Sequence, residues 1–316
     1  MYDVVLIVAP VFGLIALGFA LARFGILSKT AGDGLAEFVF TVATPVLLFR
    51  IVATAEPAAT GEPLTLWAAY YSAVAVIWAL ATLATRFALA RPAPDGASIA
   101  MGSNFGNIVM LGIPLALDRF GTDAATPIAI LISISAPIMW FVGTLHIELV
   151  TEREEMPVGR LLKDLVLSLL KNPLIMGIVA GFAWRATGLE LHPIPDKMIS
   201  MLGQVAIPGS LVALGLSLTA FELRGQIGTV LLVCLLSLVA FPALVWVLAF
   251  HVFELPPIWA GVAVLFAACP PGANAYLFAT RYAAAAGSVS AAVAFGTAFS
   301  ILSVTLILVL LAGQMP

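Results

Sequence analysis

The chain has 316 residues, of which 62% are hydrophobic and only 10% are charged. A soluble domain of that length cannot bury so much apolar surface, so the composition indicates a polytopic membrane protein. The formal net charge is −3 and the basic residues lie mostly between apolar runs, which excludes the basic stripe that nucleic-acid binding requires.

Ten apolar runs are long enough for membrane helices, each of which needs about 20 mostly apolar residues. They cover roughly residues 4–22, 35–53, 65–89, 97–117, 126–149, 165–187, 197–219, 227–251, 257–280 and 286–312. The longest hydrophilic stretch is too short to fold alone and is interpreted as a cytoplasmic linker. The sequence therefore predicts an all-α membrane protein with a first five-helix repeat (1–150), the linker (151–164) and a second five-helix repeat (165–316).

Proline spacing indicates that the two halves are related. Pro10 in run one and Pro173 in run six are 163 residues apart, as are Pro45 in run two and Pro208 in run seven. Constant offsets suggest an internal duplication, and chance agreement among the 20 prolines is the alternative. A repeat with an odd number of spans enters the membrane the other way up in its second copy, so we expect two inverted repeats.

Lysine and arginine residues predict the orientation, because they concentrate in cytoplasmic loops. Loops one, three, five, seven and nine carry ten basic residues, and the opposite side carries four, which are Arg50, Arg119, Arg185 and Lys197. We therefore expect the odd-numbered loops in the cytoplasm and both termini outside it.

Run four contains residues that disfavour a membrane helix, concentrated in residues 102–114. A helix in lipid must satisfy its backbone polar groups internally, so such residues are tolerated only where they line a cavity or pack on protein. Spacings of three, four and three place Asn104, Asn107, Leu111 and Pro114 on one helical face, which predicts a polar binding surface. A close-packed face between helices is the alternative.

Run nine carries a second interruption, at residues 269–274. Pro270 and Pro271 lack backbone N–H groups, so the helix should break there and restart after Gly272. Asn274 would lie in the first turn after the break, at a helix N-terminus that favours anions. A simple proline kink is the alternative. Paired breaks in opposite halves predict a transporter site, with the candidate substrate-binding residues Asn104, Asn107, Pro114, Pro270, Pro271, Gly272 and Asn274.

Several motifs of other protein classes are missing from the sequence. It has no phosphate-binding loop, no H-E-x-x-H motif and no serine elbow with partner residues, which disfavours ATP-driven pumping and enzymatic catalysis. Cys234 and Cys269 lie in apolar runs and read as small buried residues rather than metal ligands. We expect no cofactor and no metal. No run carries a carboxylate at mid-depth, so an anionic or neutral substrate is favoured over a cation.

Four motifs give the chain a resemblance to a known family. They are TP-x-LLF at residues 44–49, NFGN-xxx-LGIP at 104–114, KNPL at 171–174 and CPPGANAY at 269–276. In these the chain resembles the auxin efflux carrier family, bacterial relatives of the plant PIN auxin exporters, which share the fold of the bile acid:sodium symporters. The resemblance implies a scaffold from helices 1, 2, 6 and 7, a moving transport domain from helices 3–5 and 8–10, and broken helices four and nine that cross.

The resemblance also implies a function. Bacterial members are associated with small carboxylates such as malonate or malate, so we expect a secondary transporter of small organic anions in the inner (plasma) membrane, working by alternating access as a homodimer. Coupling to protons and coupling to sodium are both compatible with the sequence. A ligand-gated channel or membrane sensor for the same anions is the alternative. One departure is Gly106, where plant carriers have proline, so the break in run four is less sharply specified.

Overall fold

A computed structural model gives the structure of residues 2–54, 62–151, 163, 167, 170–221 and 225–314. The predicted linker, 151–164, lies outside the described residues apart from Thr151 and Lys163. No residue in the described ranges belongs to a β-strand. The helices used below are α1 (Tyr2–Arg23), α2 (Lys29–Phe38), α3 (Thr44–Thr54), α4 (Pro63–Leu83), α5 (Ala93–Asn104), α6 (Ile113–Phe120), α7 (Ala125–Val150), α8 (Pro173–Ala186), α9 (Pro193–Leu218), α10 (Ile227–Leu235), α11 (Phe241–Val247), α12 (Pro257–Ala267), α13 (Ala273–Arg281) and α14 (Ala286–Ala312).

Several of these helices join end to end through π-helical turns. The turn Val39–Ala43 connects α2 to α3, and Leu236–Ala240 connects α10 to α11. With these continuations, the described part of the chain has seven helices that are long and apolar enough to cross a membrane, namely Val4–Arg23, Lys29–Thr54, Pro63–Ala88, Ile108–Val150, Pro193–Leu218, Ile227–Val252 and Ala286–Ala312.

The structure confirms an all-helical polytopic protein in the described residues, whereas the count of ten spans stays a prediction. Three predicted runs are not separate long helices. Run six yields the 14-residue α8, run nine is divided between α12 and α13, and the end of run four continues into run five over Ile108–Val150. For runs four and nine the physical cause is the same, since both helices are interrupted in the middle of the apolar sequence.

The chain forms two compact units, each assembled from both halves of the sequence. Unit 1 contains Met1–Thr60, Val109–Ile134 and Leu167–Ala220. Within it, α1 packs along α9 and α3 packs along α8. The guanidinium of Arg50 on α3 donates hydrogen bonds to both carboxylate oxygens of Asp196 on α9, at 2.7 and 3.1 Å. This bidentate ion pair ties the two helices together near their ends.

Two helix crossings in unit 1 occur at glycines. A methyl group on Gly18 of α1 would overlap the carbonyl oxygen of Val212 on α9, and a methyl group on Gly181 of α8 would lie 2.9 Å from the carbonyl oxygen of Phe49 on α3. Adding 163 to Gly18 gives Gly181, and adding 163 to Phe49 gives Val212. The two crossings therefore lie at positions that differ by the same offset of 163. Both depend on a missing side chain, which lets the helix backbones approach closely.

Unit 2 contains Gly61–Ile108, Ser135–Val166 and Phe221–Pro316. Its α5 is in contact with α4, α10, α13 and α14. All residues of α5 from Asp95 to Asn104 are buried, and so are all residues of α12 from Trp259 to Ala267. Because α5 and α12 are the half-helices that precede the two interruptions, the interruptions begin inside this unit.

Equivalent segments also precede the two interruptions in unit 2. The π-helical turns Ala84–Ala88 and Leu248–Val252 begin 164 residues apart, and α5 and α12 begin 164 residues apart as well. Each turn is followed by a residue with positive φ, which is Ala90 at 48° in the first half and Glu254 at 47° in the second. The same backbone path thus leads into both broken helices.

Candidate functional site

Each half of the sequence contributes one break in a helix, and both breaks belong to unit 2. In the first, the chain leaves the helical conformation at Phe105, with φ −99° and ψ 79°, directly after the end of α5. Helical structure resumes in the π-helical turn Ile108–Gly112. The second interruption separates the end of α12 from the start of α13 and contains two prolines, which cannot donate backbone hydrogen bonds. The two breaks are residues 105–107 and 268–272.

The two breaks lie antiparallel to each other and are joined by two backbone hydrogen bonds. The N–H of Asn107 donates to the carbonyl oxygen of Pro270 at 2.8 Å. The N–H of Gly272 donates to the carbonyl oxygen of Phe105 at 2.9 Å. Each break therefore supplies hydrogen-bond partners for backbone groups of the other, which is how non-helical backbone can be tolerated at membrane depth.

Gly106 and Pro271 oppose each other between these two bonds as an isolated antiparallel bridge. At such a position the opposed residues do not hydrogen-bond to each other, so the missing N–H of proline costs nothing there. A methyl group on Gly106 would lie 3.0 Å from both Cβ and the carbonyl oxygen of Cys269. A methyl group on Gly296 of α14 would lie 2.7 Å from Cδ of Pro271. Glycine at both positions therefore lets the two breaks and α14 approach this closely.

Asn104 is the last residue of α5, and 3% of its surface is exposed. Its side-chain Nδ2 donates to the carbonyl oxygen of Ala100 at 2.9 Å, one turn earlier. Its Oδ1 is buried and has no hydrogen-bond partner in the structure. The side chain thus offers an unused acceptor beside the crossing.

The other two asparagines differ in their surroundings. Asn107 is 9% exposed and belongs to the break itself, where its N–H is used in the crossing. Asn274 is exposed in the first turn of α13, whose N-cap is Gly272. The first N–H groups of a helix have no partner within it. The exposed start of α13 can therefore offer backbone and amide N–H donors to a ligand.

The single helical face predicted for run four is wrong. It required a continuous helix from Asn104 through Asn107 to Pro114, and the chain is not helical at residues 105–107. Pro114 is buried as the second residue of α6 and belongs to unit 1, whereas the other six predicted site residues belong to unit 2. The backbone of the crossing brings together Asn107, Pro270, Pro271 and Gly272, and their neighbours Asn104 and Asn274 flank it.

A hydroxyl pair next to Asn104 was missed by sequence reasoning. Tyr71 of α4 and Ser135 of α7 place their oxygens 3.1 Å apart, within hydrogen-bonding distance. Both residues line a small cavity together with Asn104 and Gly106. No motif marks either residue, because they come from runs three and five and meet only in the folded unit.

The crossing is neutral. Neither break contains a charged residue, and none of the side chains lining the adjacent cavity is charged. In the described part of the chain, no three His, Cys, Asp or Glu residues are grouped so that they could hold a metal ion. Cys234 and Cys269 are both buried free thiols. The chemistry on offer is therefore hydrogen bonding by amides, hydroxyls and the N-terminus of a helix.

Comparisons with known proteins point to membrane transport. The family model described as "Membrane transport protein" matches residues 3–308. A curated protein of Rhizobium meliloti (strain 1021), named "Putative malonate transporter", is 28% identical over 327 residues. That alignment covers 100% of this chain and 98% of the relative.

Proposed function

Because the chain belongs to the Membrane transport protein family, whose model matches residues 3–308, we propose that it is a secondary transporter of small organic anions. It is a multi-pass membrane transporter and not an enzyme. The relative in Rhizobium meliloti is named for malonate, a small dicarboxylate, and aligns along the whole of this chain. This similarity supports carboxylates such as malonate, malate or auxin-like acids as the substrate class.

The observation that carries the proposal is the hydrogen-bonded crossing of two broken helices. Asn107 lies in one break, and Asn274 opens the half-helix that follows the other. A helix N-terminus carries a partial positive charge, and an amide N–H₂ group donates hydrogen bonds, so both favour a carboxylate. No fixed cation is required. A neutral donor set holds an anion weakly enough to release it on the far side of the membrane, and it is less costly to leave empty than a buried charge.

We further propose ten helices in two inverted five-helix repeats. The equivalent glycine crossings at Gly18 and Gly181, offset by 163, support a duplication. The π-helical turns Ala84–Ala88 and Leu248–Val252, offset by 164, support it independently. The pair of glycine crossings lies in unit 1 and the pair of π-helical turns lies in unit 2, yet their offsets are nearly the same. Chance agreement among prolines does not explain this.

For the mechanism we propose alternating access, with unit 1 as scaffold and unit 2 as the moving domain. Helices α1, α2, α3, α8 and α9 of unit 1 come from predicted runs one, two, six and seven, in agreement with the scaffold that the family resemblance implies. Runs four and five are divided, since α6 and the start of α7 belong to unit 1. In inverted repeats, alternating access is largely the rigid movement of one bundle past another.

The proposed assembly is a homodimer in the inner membrane with both termini outside the cytoplasm. The mass of the protein in nanodiscs measures the oligomeric state. An epitope tag at either terminus of the protein in intact spheroplasts measures the orientation, and protection of both tags from added protease would reverse it.

Counterflow tests the transport proposal. Proteoliposomes preloaded with unlabelled malonate should take up labelled malonate faster than empty ones, whereas a channel shows no such acceleration.

Currents on solid-supported membranes with malonate, malate and indole-3-acetate then rank the substrates. Repeating them with and without sodium and across pH identifies the coupling ion. Absence of both counterflow and currents for all three acids would refute an organic-anion carrier.

A further inference from the structure

A small enclosed cavity lies beside the crossing in unit 2. It is walled by residues of the first break and by α4 and α7, and its lining residues include Tyr71, Asn104, Phe105, Gly106, Ser135 and Met139. Its volume is about 10 Å³, which is room for one water molecule. The cavity is therefore sized for a single oxygen atom with its hydrogens, not for a whole carboxylate.

Asn104, which lines this cavity, carries an acceptor that lacks a donor. The Oδ1 of Asn104 is buried without a hydrogen-bond partner, while Nδ2 of the same amide donates to the carbonyl oxygen of Ala100. Exchanging the two amide atoms would place Oδ1 against the Ala100 carbonyl, two acceptors face to face, so the observed orientation is fixed. Leaving a buried acceptor unpaired is destabilising, and native proteins rarely do so.

The neighbouring groups match the same ligand. The hydroxyl groups of Tyr71 and Ser135 are 3.1 Å apart and can each donate or accept. A bound water or hydroxyl group could donate to Asn104 and exchange hydrogen bonds with this pair. A carboxylate could not take this place, because its oxygens only accept hydrogen bonds and would face the acceptor Oδ1 of Asn104.

We propose that this cavity is a binding site for one O–H donor, which hydrogen-bonds to Oδ1 of Asn104 and is held by Tyr71 and Ser135. Two sources supply this chemistry. One is a water molecule that remains in place throughout transport. The other is a hydroxyl group of the substrate, which displaces that water, and this second source rests on the proposed transport of organic anions.

A structure of the purified protein in nanodiscs, at a resolution that shows ordered water, tests the site directly. We expect one density within hydrogen-bonding distance of Oδ1 of Asn104 in the substrate-free protein. If that density persists unchanged with bound malate, the occupant is water. If a malate oxygen takes its place, the occupant is the substrate hydroxyl. An empty cavity in both states overturns the proposal.

Binding of malate and succinate separates the two sources in solution, because these dicarboxylates differ by one hydroxyl group. If the substrate hydroxyl enters the cavity, wild-type protein should bind malate about tenfold more tightly than succinate, and Asn104→Leu should abolish the difference. If water occupies the cavity, the ratio stays near one in both proteins and the density remains. Density without binding of malate, succinate, malonate or indole-3-acetate would refute the transport proposal and leave the cavity site intact.

Variants of the hydroxyl pair complete the test. Tyr71→Phe and Ser135→Ala should each weaken or remove the density at Asn104. Ser133→Ala is the matched control. Ser133 lies two positions before Ser135 on the same helix, and its hydroxyl donates to the Ile130 carbonyl of that helix. Density that survives in both Tyr71→Phe and Ser135→Ala would show that the pair does not hold the ligand, and would overturn that part of the proposal.

Discussion

The N–H of Gly272 donates to the carbonyl oxygen of Phe105 at 2.9 Å, and this bond joins a break in the first half of the chain to a break in the second. Neither residue has a side chain with binding chemistry. Their bond matters because it fixes where the flanking groups lie, with Asn104 one residue before Phe105 and Asn274 two residues after Gly272. The geometry of the candidate site is thus set by backbone hydrogen bonds.

Replacing the asparagines of the site should weaken anion binding. Asn107→Ala should remove one hydrogen bond to a charged group, which is worth about 1.5–3 kcal/mol, or roughly ten- to a hundredfold in affinity. Asn107→Asp and Asn274→Asp should bind still more weakly, because each substitutes a negative charge for a donor. Asn104→Ala should have a smaller effect. Calorimetric titration with malonate measures these affinities.

The control for the charge change is Gln314→Glu, an amide-to-carboxylate substitution at an exposed position just after the end of α14. Its malonate affinity should equal that of the wild type. If Asn107→Asp and Asn274→Asp proteins that insert normally bound malonate at native strength, the crossing would not be the substrate site, and the close-packing interpretation of both stretches would replace it.

Adding a methyl group opposite the proline break should disturb transport. In Gly296→Ala the new Cβ would lie 2.7 Å from Cδ of Pro271, closer than real Cβ contacts allow, so α14 and the break must move apart. Overpacking of this kind costs about 1–3 kcal/mol. We expect a lower melting temperature and reduced malonate uptake. Gly34→Ala is the control, since nothing lies within 4 Å of its added methyl group, and a wild-type melting temperature in Gly296→Ala would contradict the packing.

The two glycine crossings of unit 1 should respond alike, because they occupy equivalent positions. Gly18→Ala would overlap the carbonyl oxygen of Val212, and Gly181→Ala would approach that of Phe49 to 2.9 Å. Each should destabilise the protein by about 1–3 kcal/mol or more. Thermal unfolding in detergent measures both. Gly13→Ala, on the same helix as Gly18 with nothing within 4 Å, should be neutral or slightly stabilising, and equal stability of all three variants would argue against close crossings.

The protein should be more stable with glycine than with alanine at position 90, which follows the π-helical turn before α5. Its φ of 48° lies in the left-handed region, which costs a non-glycine residue roughly 1–2 kcal/mol. Glycine loses more chain entropy on folding, by about 0.5–1 kcal/mol, so Ala90→Gly should stabilise the protein modestly. Ala68→Gly, at an exposed position inside α4, should have the opposite sign. The same thermal unfolding assay compares them, and destabilisation by Ala90→Gly would count against the left-handed backbone.

The sequence by itself determined the class of the protein and the location of the interruptions. Apolar runs of about 20 residues require helices in lipid, since no other open structure satisfies the backbone there. Pro270 and Pro271 cannot complete a helix, so the second break was predictable from local chemistry. The proline offset of 163 also pointed to related halves. These features depend on residues close together in sequence, whose constraints act wherever the chain later packs.

Only the tertiary structure decided how the first break is formed and what surrounds it. Gly106 permits a break without requiring one, and a helical face through Asn104, Asn107 and Pro114 was equally compatible with the spacing. The chain leaves the helix there because hydrogen bonds to residues more than 160 positions away, at Pro270 and Gly272, replace those of the lost turn. Such pairings have no local signature, since they depend on which backbone groups meet after the helices have packed.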